Sequence, residues 1–476
     1  MSHRIDSWKL SEIAAAVGGE LRSQNPDQPV LGITTDSRSI PPRSLFVALK
    51  GERHDAHSFI PAVSGAGARA AIVDHFLPAR LDFSLIRVPD TTRALGDLAR
   101  AYRRKFRSTV AAVTGTSGKT TTKDFLAAIC RRRFRTIATT GNLNNHIGVP
   151  LSLFQLTSRT EKAVIEMGMS DMGEIARLAE IAEPSIGIIT SIGPCHLDRL
   201  MNVEGVMNAK AELIEYLNST NGMVILDADQ QHFEILSRRV TCRLISAGEH
   251  FAATVPVRDI AARGYEPASF TYRGLRVELR HYGRHAVSNA VLAIAAAETM
   301  GVDPLDIVEG IRDAWPASGR ANRIACEGVT IIDDAYNANP LSYAAALAAL
   351  AGSTANRRIV VMADMLELGP DSEKMHAETG ALIARSGVDI LVHRGAASFH
   401  AAKACAGVRT IACSSNEEIS STLDGLLLPG DVVLVKASHS MKLDEVVRTV
   451  VESRRNRVNP LARKASGMPD VINLKR

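Results

Sequence analysis

The stretch Val113–Leu126, VTGTSGKTTTKDFL, has Gly, Lys and Thr in the order of a phosphate-binding loop, yet its spacing is not the ordinary one. In the pattern G-x-x-x-x-G-K-[ST] a glycine opens the motif. Counting back from Gly118-Lys119-Thr120, that position is Val113. The apolar run STVAAV precedes the loop and the helical pattern TTTKDFLAAICRRR follows it. Strand, Gly-rich turn and helix start in that order aim the backbone N–H groups of Gly115, Thr116, Ser117, Gly118, Lys119 and Thr120, together with a helix N-terminus, at one point. That is an anion site by geometry and dipole. Lys119 would neutralise the β- and γ-phosphates of a nucleotide, and the Thr120 hydroxyl would ligate Mg²⁺.

Similar apolar strands recur outward from the loop: KAVIEMG, SIGIITSIG, GMVILDAD, RRIVVMADM, VDILVHRG and GDVVLVKAS. Continuous apolar strands alternating with helical patterns predict parallel sheets covered on both faces, an α/β architecture. At 476 residues the chain exceeds one ordinary core. Two interruptions read as seams, the basic YRRKFRS at 102–108 and WPASGRANR at 315–323. Three domains are therefore expected, at 1–107, 108–315 and 316–455, followed by a basic flexible tail at 456–476.

The net charge of +5 resides in the C-terminal segment from Ser453 onward, where Arg454, Arg455, Arg457, Arg463, Lys464, Lys475 and Arg476 face only Asp470. Basic residues without aromatic interleaving read as a solvated terminus, so no nucleic-acid partner is expected. No apolar run is long enough to span a bilayer, and the N-terminus lacks the form of a signal peptide; membrane insertion is not expected and the default compartment is the cytoplasm. Six cysteines without a C-x-x-C pair read as reduced thiols.

Ligands of parallel sheets gather at the carboxyl ends of strands. Glu166 closes AVIEMG and His196 follows IGIITSIGPC, so a carboxylate and an imidazole could share a divalent ion beside the loop. Each also has a plain reading, as a solvated strand-end Glu or a His bonded within its loop. Lys210, in NAKAELIEYL, reads from the residues alone as a snorkelling surface lysine.

The ordered set GTSGKT, TTGNLNNHIGVP, EMGMSDMGEI, SGR, DDAYNANP and ADMLELG followed by His376 resembles the Mur ligase family of ATP-dependent amide-forming enzymes. The resemblance covers nearly the whole chain. It implies an N-terminal uridine-nucleotide-binding α/β domain, a central P-loop ATPase-like parallel-sheet domain and a C-terminal Rossmann-like domain. Among the family's activities it implies the joining of D-alanyl-D-alanine to UDP-N-acetylmuramoyl-tripeptide by a monomer using ATP and Mg²⁺. Gly115–Gly118, Lys119, Thr120 and Thr121 would hold the phosphates, Asn289 would contact adenine, Arg320 the γ-phosphate and Asp334 the ribose side. Thr120, Glu166, His196 and, if carbamylated, Lys210 would hold metal. Catalysis would fall to Lys119, Lys210, His196 and Arg320. Asn142, Asn144 and Asn145 would bind substrate, as would Asp36, Ser37 and Arg38 within TTDSRSIPPRSLFVALKGERHDAHSF.

The pattern has departures at Arg43 and Ala56, where glycine is common, and at Ala286 and Ser191, where asparagine is. Ala363 and Ala437 also replace glycine. Two alternatives therefore stay open, a ligase of the same mechanism acting on another carboxylate and amine, and a non-catalytic nucleotide-binding module. An Asn-rich turn bonding its own backbone is a competing reading for 142–145, as is an exposed ion pair for Asp36 and Arg38.

Overall fold

The computed structural model describes residues 2–51, 54–76 and 83–458. Three sheets succeed one another along the chain. The central one has nine strands in the order 275–282, 267–272, 255–261, 243–248, 223–227, 186–189, 109–114, 162–166 and 136–138. Its core strands are parallel and buried on both faces. Along Thr109–Thr114, Val110 and Ala112 enter the apolar cluster under helices Glu174–Ala182 and Val203–Thr220, whereas Ala111 and Val113 enter the one under Lys119–Arg131 and Arg284–Thr299. This period-2 partition explains why the strand reads as a continuous apolar run.

One expectation needs correction, because the central sheet is mixed. Strands Val255–Ala261, Pro267–Tyr272 and Leu275–Tyr282 pair antiparallel. Arg273 and Gly274, at φ 48° and 79°, form the two-residue connection of the last pair. Positive φ at both central residues matches a tight hairpin to the strand twist.

The first sheet has six strands in the order 2–9, 29–34, 44–47, 70–73, 84–87 and 20–22, parallel in the middle and antiparallel at both edges. The third has the order 322–326, 329–333, 431–436, 357–363, 390–394 and 409–412, with an antiparallel first pair. The last helix, Leu443–Val458, lies against this sheet. The basic segment from residue 459 onward lies outside the described residues.

Register positions the functional ends. Ile189 pairs with Thr114 and Val113 with Glu166, so three central strands finish level with the phosphate loop. No described helix is long and apolar enough to cross a membrane.

Candidate active site

The loop Gly115–Gly118 is held in a conformation few residues could adopt. Gly115 and Gly118 have φ of 148° and 87°. A Cβ at Gly115 would lie 2.0 Å from Thr190 Oγ1, and one at Gly118 would lie 2.2 Å from Asn289 Oδ1. Thr190 Oγ1 donates to Ser117 O at 2.5 Å, Ser191 Oγ accepts from Ser117 N at 3.0 Å, and Thr116 N donates to Ser191 O at 2.8 Å. The loop is thus held by hydrogen bonds from the protein's own residues. Ser191 supplies two of its supports, so the serine at this departure from the family pattern has a structural role.

Lys119 Nζ folds back onto its own loop, donating to Gly115 O at 2.8 Å and Thr116 O at 3.3 Å. Burial lowers its pKa, although Glu166 opposes that shift. Thr120 Oγ1 donates to Glu166 Oε2 at 2.8 Å, and Asn144 Nδ2 donates to Glu166 Oε1, also at 2.8 Å. Glu166 is buried, with its backbone N–H bonded to Thr139 Oγ1.

From the third domain, Arg320 Nη2 reaches Thr120 Oγ1 at 2.8 Å while its guanidinium stacks over Tyr336, 4.2 Å from the ring centroid. Asn339 Nδ2 donates to Ser117 Oγ at 3.3 Å. Residues two hundred positions apart therefore meet at one hydroxyl.

These groups open onto a cavity of about 620 Å³ between the second and third sheets. Thr116–Thr121, Asn142, Asn144, Asn145, Glu166, His196, Asn289, Arg320 and Asp334 line it. Asn145 also shapes the local backbone, since its Oδ1 accepts from the N–H groups of Ile147 and Gly148 and opens helix Gly148–Leu153. Asn289 abuts Gly118 and accepts from Thr122 Oγ1 at 3.3 Å, which makes it a buttress of the loop. Asp334 accepts from Lys436 Nζ at 2.7 Å and from Ala321 N at 3.2 Å.

His196 stands at the seam. Its Nδ1 is 2.5 Å from Glu367 Oε2, and this partner lowers the Glu367 pKa. The surface reading of Lys210 is wrong, for the residue is 2% exposed and burial lowers its pKa to about 7, with Lys119 adding to the shift. The helix Val203–Thr220 buries Lys210 along with Val206, Met207, Ala209, Ala211 and Leu213, and that burial disfavours the charged form of the amine.

Asp36, Ser37 and Arg38 lie outside the cavity. Arg38 Nε and Nη2 donate to the two Asp36 carboxylate oxygens at 2.8 and 3.0 Å, and this pairing lowers the Asp36 pKa to about 2. Arg43 retains the backbone conformation glycine would favour, at φ 58°, with its side chain exposed. Ala56 sits in the short turn Ala56–Phe59, and Ala286 is buried in the first turn of Arg284–Thr299.

Sequence reasoning missed Lys436, Tyr336, Asp227, Gln230, His281 and His285, all of which line the cavity. Burial raises the Asp227 pKa to about 6 and lowers that of His281 to about 4. The side-chain N and O of Gln230 and Nδ1 of His281 are buried without a partner among the described residues. Lys436 closes the strand Asp431–Lys436, a position the strand-end rule could have found. No local signal marks Gln230. His57, Asp74 and His75 form a separate group of ligand-type side chains, but both His57 nitrogens are engaged, one by Asp55 and the other by Asp74 N–H.

Comparison with known proteins converges on one family. Residues 29–103 match the Mur ligase family catalytic domain, 113–297 the Mur ligase middle domain, and 319–439 the Mur ligase glutamate ligase domain. The UDP-N-acetylmuramoyl-tripeptide--D-alanyl-D-alanine ligase of Bacillus subtilis is 35% identical, over 93% of this chain and 98% of that protein. The Escherichia coli ligase of the same name is 34% identical, over 94% and 99%. The crystal structure of MurF from Acinetobacter baumannii superposes with a TM-score of 0.88 at 32% identity, covering 94% of this chain and all of that one. MurF ligase from Thermotoga maritima in complex with ADP gives 0.79 at 27% identity, covering 89% and 98%. Three matched domains in order, with relatives aligned end to end, establish that the chain belongs to the Mur ligase family.

Proposed function

We propose that this chain is an ATP-dependent ligase that joins D-alanyl-D-alanine to UDP-N-acetylmuramoyl-tripeptide through an acyl phosphate, releasing ADP and phosphate in the cytoplasm. The observation that carries the reading is the convergence of Arg320, Thr120 and Glu166 at the phosphate loop, across two domains. A pure nucleotide binder has no need of a buried carboxylate and a guanidinium meeting at the loop hydroxyl.

The donor set fits Mg²⁺. Thr120 and Glu166 present hard oxygens, and Glu166 is 2% exposed with only Asn144 and Thr120 donating to its carboxylate oxygens among the described residues. His196 would supply a nitrogen, and Lys210 an oxygen once its neutral amine has added CO₂ with loss of a proton. Burial favours that neutral form. When bound, Mg²⁺ would neutralise phosphate oxygens.

In the reaction, ATP is the phosphoryl donor. Gly115–Thr120 orient the phosphates through backbone N–H groups, and Lys119 exchanges its carbonyl partners for the β- and γ-phosphates. Arg320 stabilises charge on the transferring group. The peptide carboxylate takes the γ-phosphoryl group, the dipeptide amine attacks the acyl carbon, and the tetrahedral adduct expels phosphate. Asn142 and Asn144, at the cavity wall, would contact the peptide substrate. Asp334 and Lys436 would face the ribose, and Gln230, with an unpartnered donor and acceptor among the described residues, would read the base edge in place of Asn289, which is engaged with the loop.

The test is phosphate release from ATP with Mg²⁺, the UDP-sugar tripeptide and D-alanyl-D-alanine, each omitted in turn. Release requiring both acceptors, with a product heavier by the dipeptide, is expected. Release with a different carboxylate and amine only would assign the chain to a paralogue's reaction.

A further inference from the structure

We propose that Glu367 is a positioning residue for His196, and that the pair with its flanking contacts forms a latch through which the third domain completes a cation site on the central one. The inference rests on the reading of His196 as a metal ligand given above. With Nδ1 only 2.5 Å from Glu367 Oε2, a contact that calls for the ring proton on Nδ1, the imidazole would keep its lone pair on Nε2, the tautomer a cation requires. A carboxylate behind a histidine ligand fixes the ring and raises its basicity.

The backbone around the pair is built for this one arrangement. His196 and Glu367 both occupy left-handed conformations, at φ 53° and 62°, which cost a non-glycine residue free energy. Leu197 N donates to Glu367 O at 2.9 Å, and Gly369 N donates to Asp198 Oδ1 at 3.1 Å. Gly369 itself has φ 63°, and a Cβ there would lie 3.1 Å from Asp198 N and Leu197 C. The side chains of His196 and Glu367 are 29% and 57% exposed, and an ion pair so exposed contributes little stability. Two strained residues meeting across a domain seam are better explained by ring orientation than by stability. Because Glu367 comes from the third domain, His196 is oriented only when the two domains are together.

The experiment titrates the full chain, with a non-hydrolysable ATP analogue, using Mn²⁺ as the probe and electron paramagnetic resonance as the readout. It needs no acceptor substrate. Glu367→Ala is expected to lower the affinity of the more weakly held Mn²⁺ about 10-fold or more. Glu367→Gln, which keeps an acceptor for Nδ1–H, is expected to lose less. Gly369→Ala, which crowds the latch while leaving both side chains intact, is expected to move in the same direction and carries the test if Glu367→Ala fails to fold. Unchanged Mn²⁺ affinity in folded Glu367→Ala overturns the proposal, as does a parent that binds a single Mn²⁺. A parent inactive on the named acceptors whose Mn²⁺ affinity still depends on Glu367 overturns the acceptor assignment and supports the latch.

Discussion

The seam between the second and third domains and the Asp36–Arg38 turn of the first domain both pair acidic with basic or hydroxyl groups, but in opposite ways. At Asp36 the partner, Arg38, is two residues away and exposed, while the carboxylate is only half-buried. At Thr120 the partners are Glu166 and Arg320, 46 and 200 residues distant, and the carboxylate is buried. A local pair asks little of the fold and contributes little to it. A buried long-range cluster exists only when the cores of two sheets hold it together, and its members are costly to leave unpaired.

The comparison breaks most sharply at Lys119. Lys119→Ala should reduce substrate-dependent phosphate release by about 10³-fold or more, because the charge that faces the phosphates is lost. Equal rates in parent and variant would remove the loop from the chemistry. Arg320→Ala should cost about 10²- to 10³-fold in kcat with a smaller change in KM for ATP, since its cation is needed most as charge transfers. A change confined to KM would make Arg320 a binding residue only.

Lys210→Met sharpens the contrast between stability and activity. A lysine pKa of about 7 in the folded chain lies below the usual 10.5, so protonation is disfavoured by folding. The resulting destabilisation grows as pH falls from about 10 to about 7 and is constant below that. Methionine removes it, and the variant should be inactive yet more stable at pH 7 by up to about 4 kcal/mol, an advantage that fades near pH 10. Urea unfolding at both pH values measures this; a less stable variant at pH 7 would show that burial does not set this pKa. The parent's rate should fall below about pH 7, where the ammonium cannot add CO₂. At the other extreme, Asp36→Ala should leave the urea midpoint within error and change only KM for the UDP-sugar, by a few-fold. A loss of kcat there would place the turn nearer the chemistry than its position outside the cavity implies.

What could be read from the chain follows the same division. The loop, its helix and the Glu166 strand end are consecutive or periodic features, and sequence exposes them directly. The mixed edge of the central sheet was less visible, because Val255–Tyr282 alternates in the manner of any half-buried hairpin. Lys210 was misread by its residues alone, since a helical lysine flanked by apolar residues carries no mark of which side faces the core. Gln230, His281 and Glu367 acquire meaning only from what the fold sets opposite them, and Asn289 changes meaning because the fold sets it against Gly118.

The crowding at Gly115 and Gly118 has a consequence for inhibition. Any added side chain at either position meets Thr190 or Asn289 within 2.2 Å, in backbone conformations that side chains rarely adopt. A compound seated against these two glycines would press on a wall that single mutations cannot reshape without losing the nucleotide. Resistance would have to arise at other positions of the same cavity, such as the half-buried Ala345, so a compound that avoids leaning on those would leave the enzyme few routes of escape.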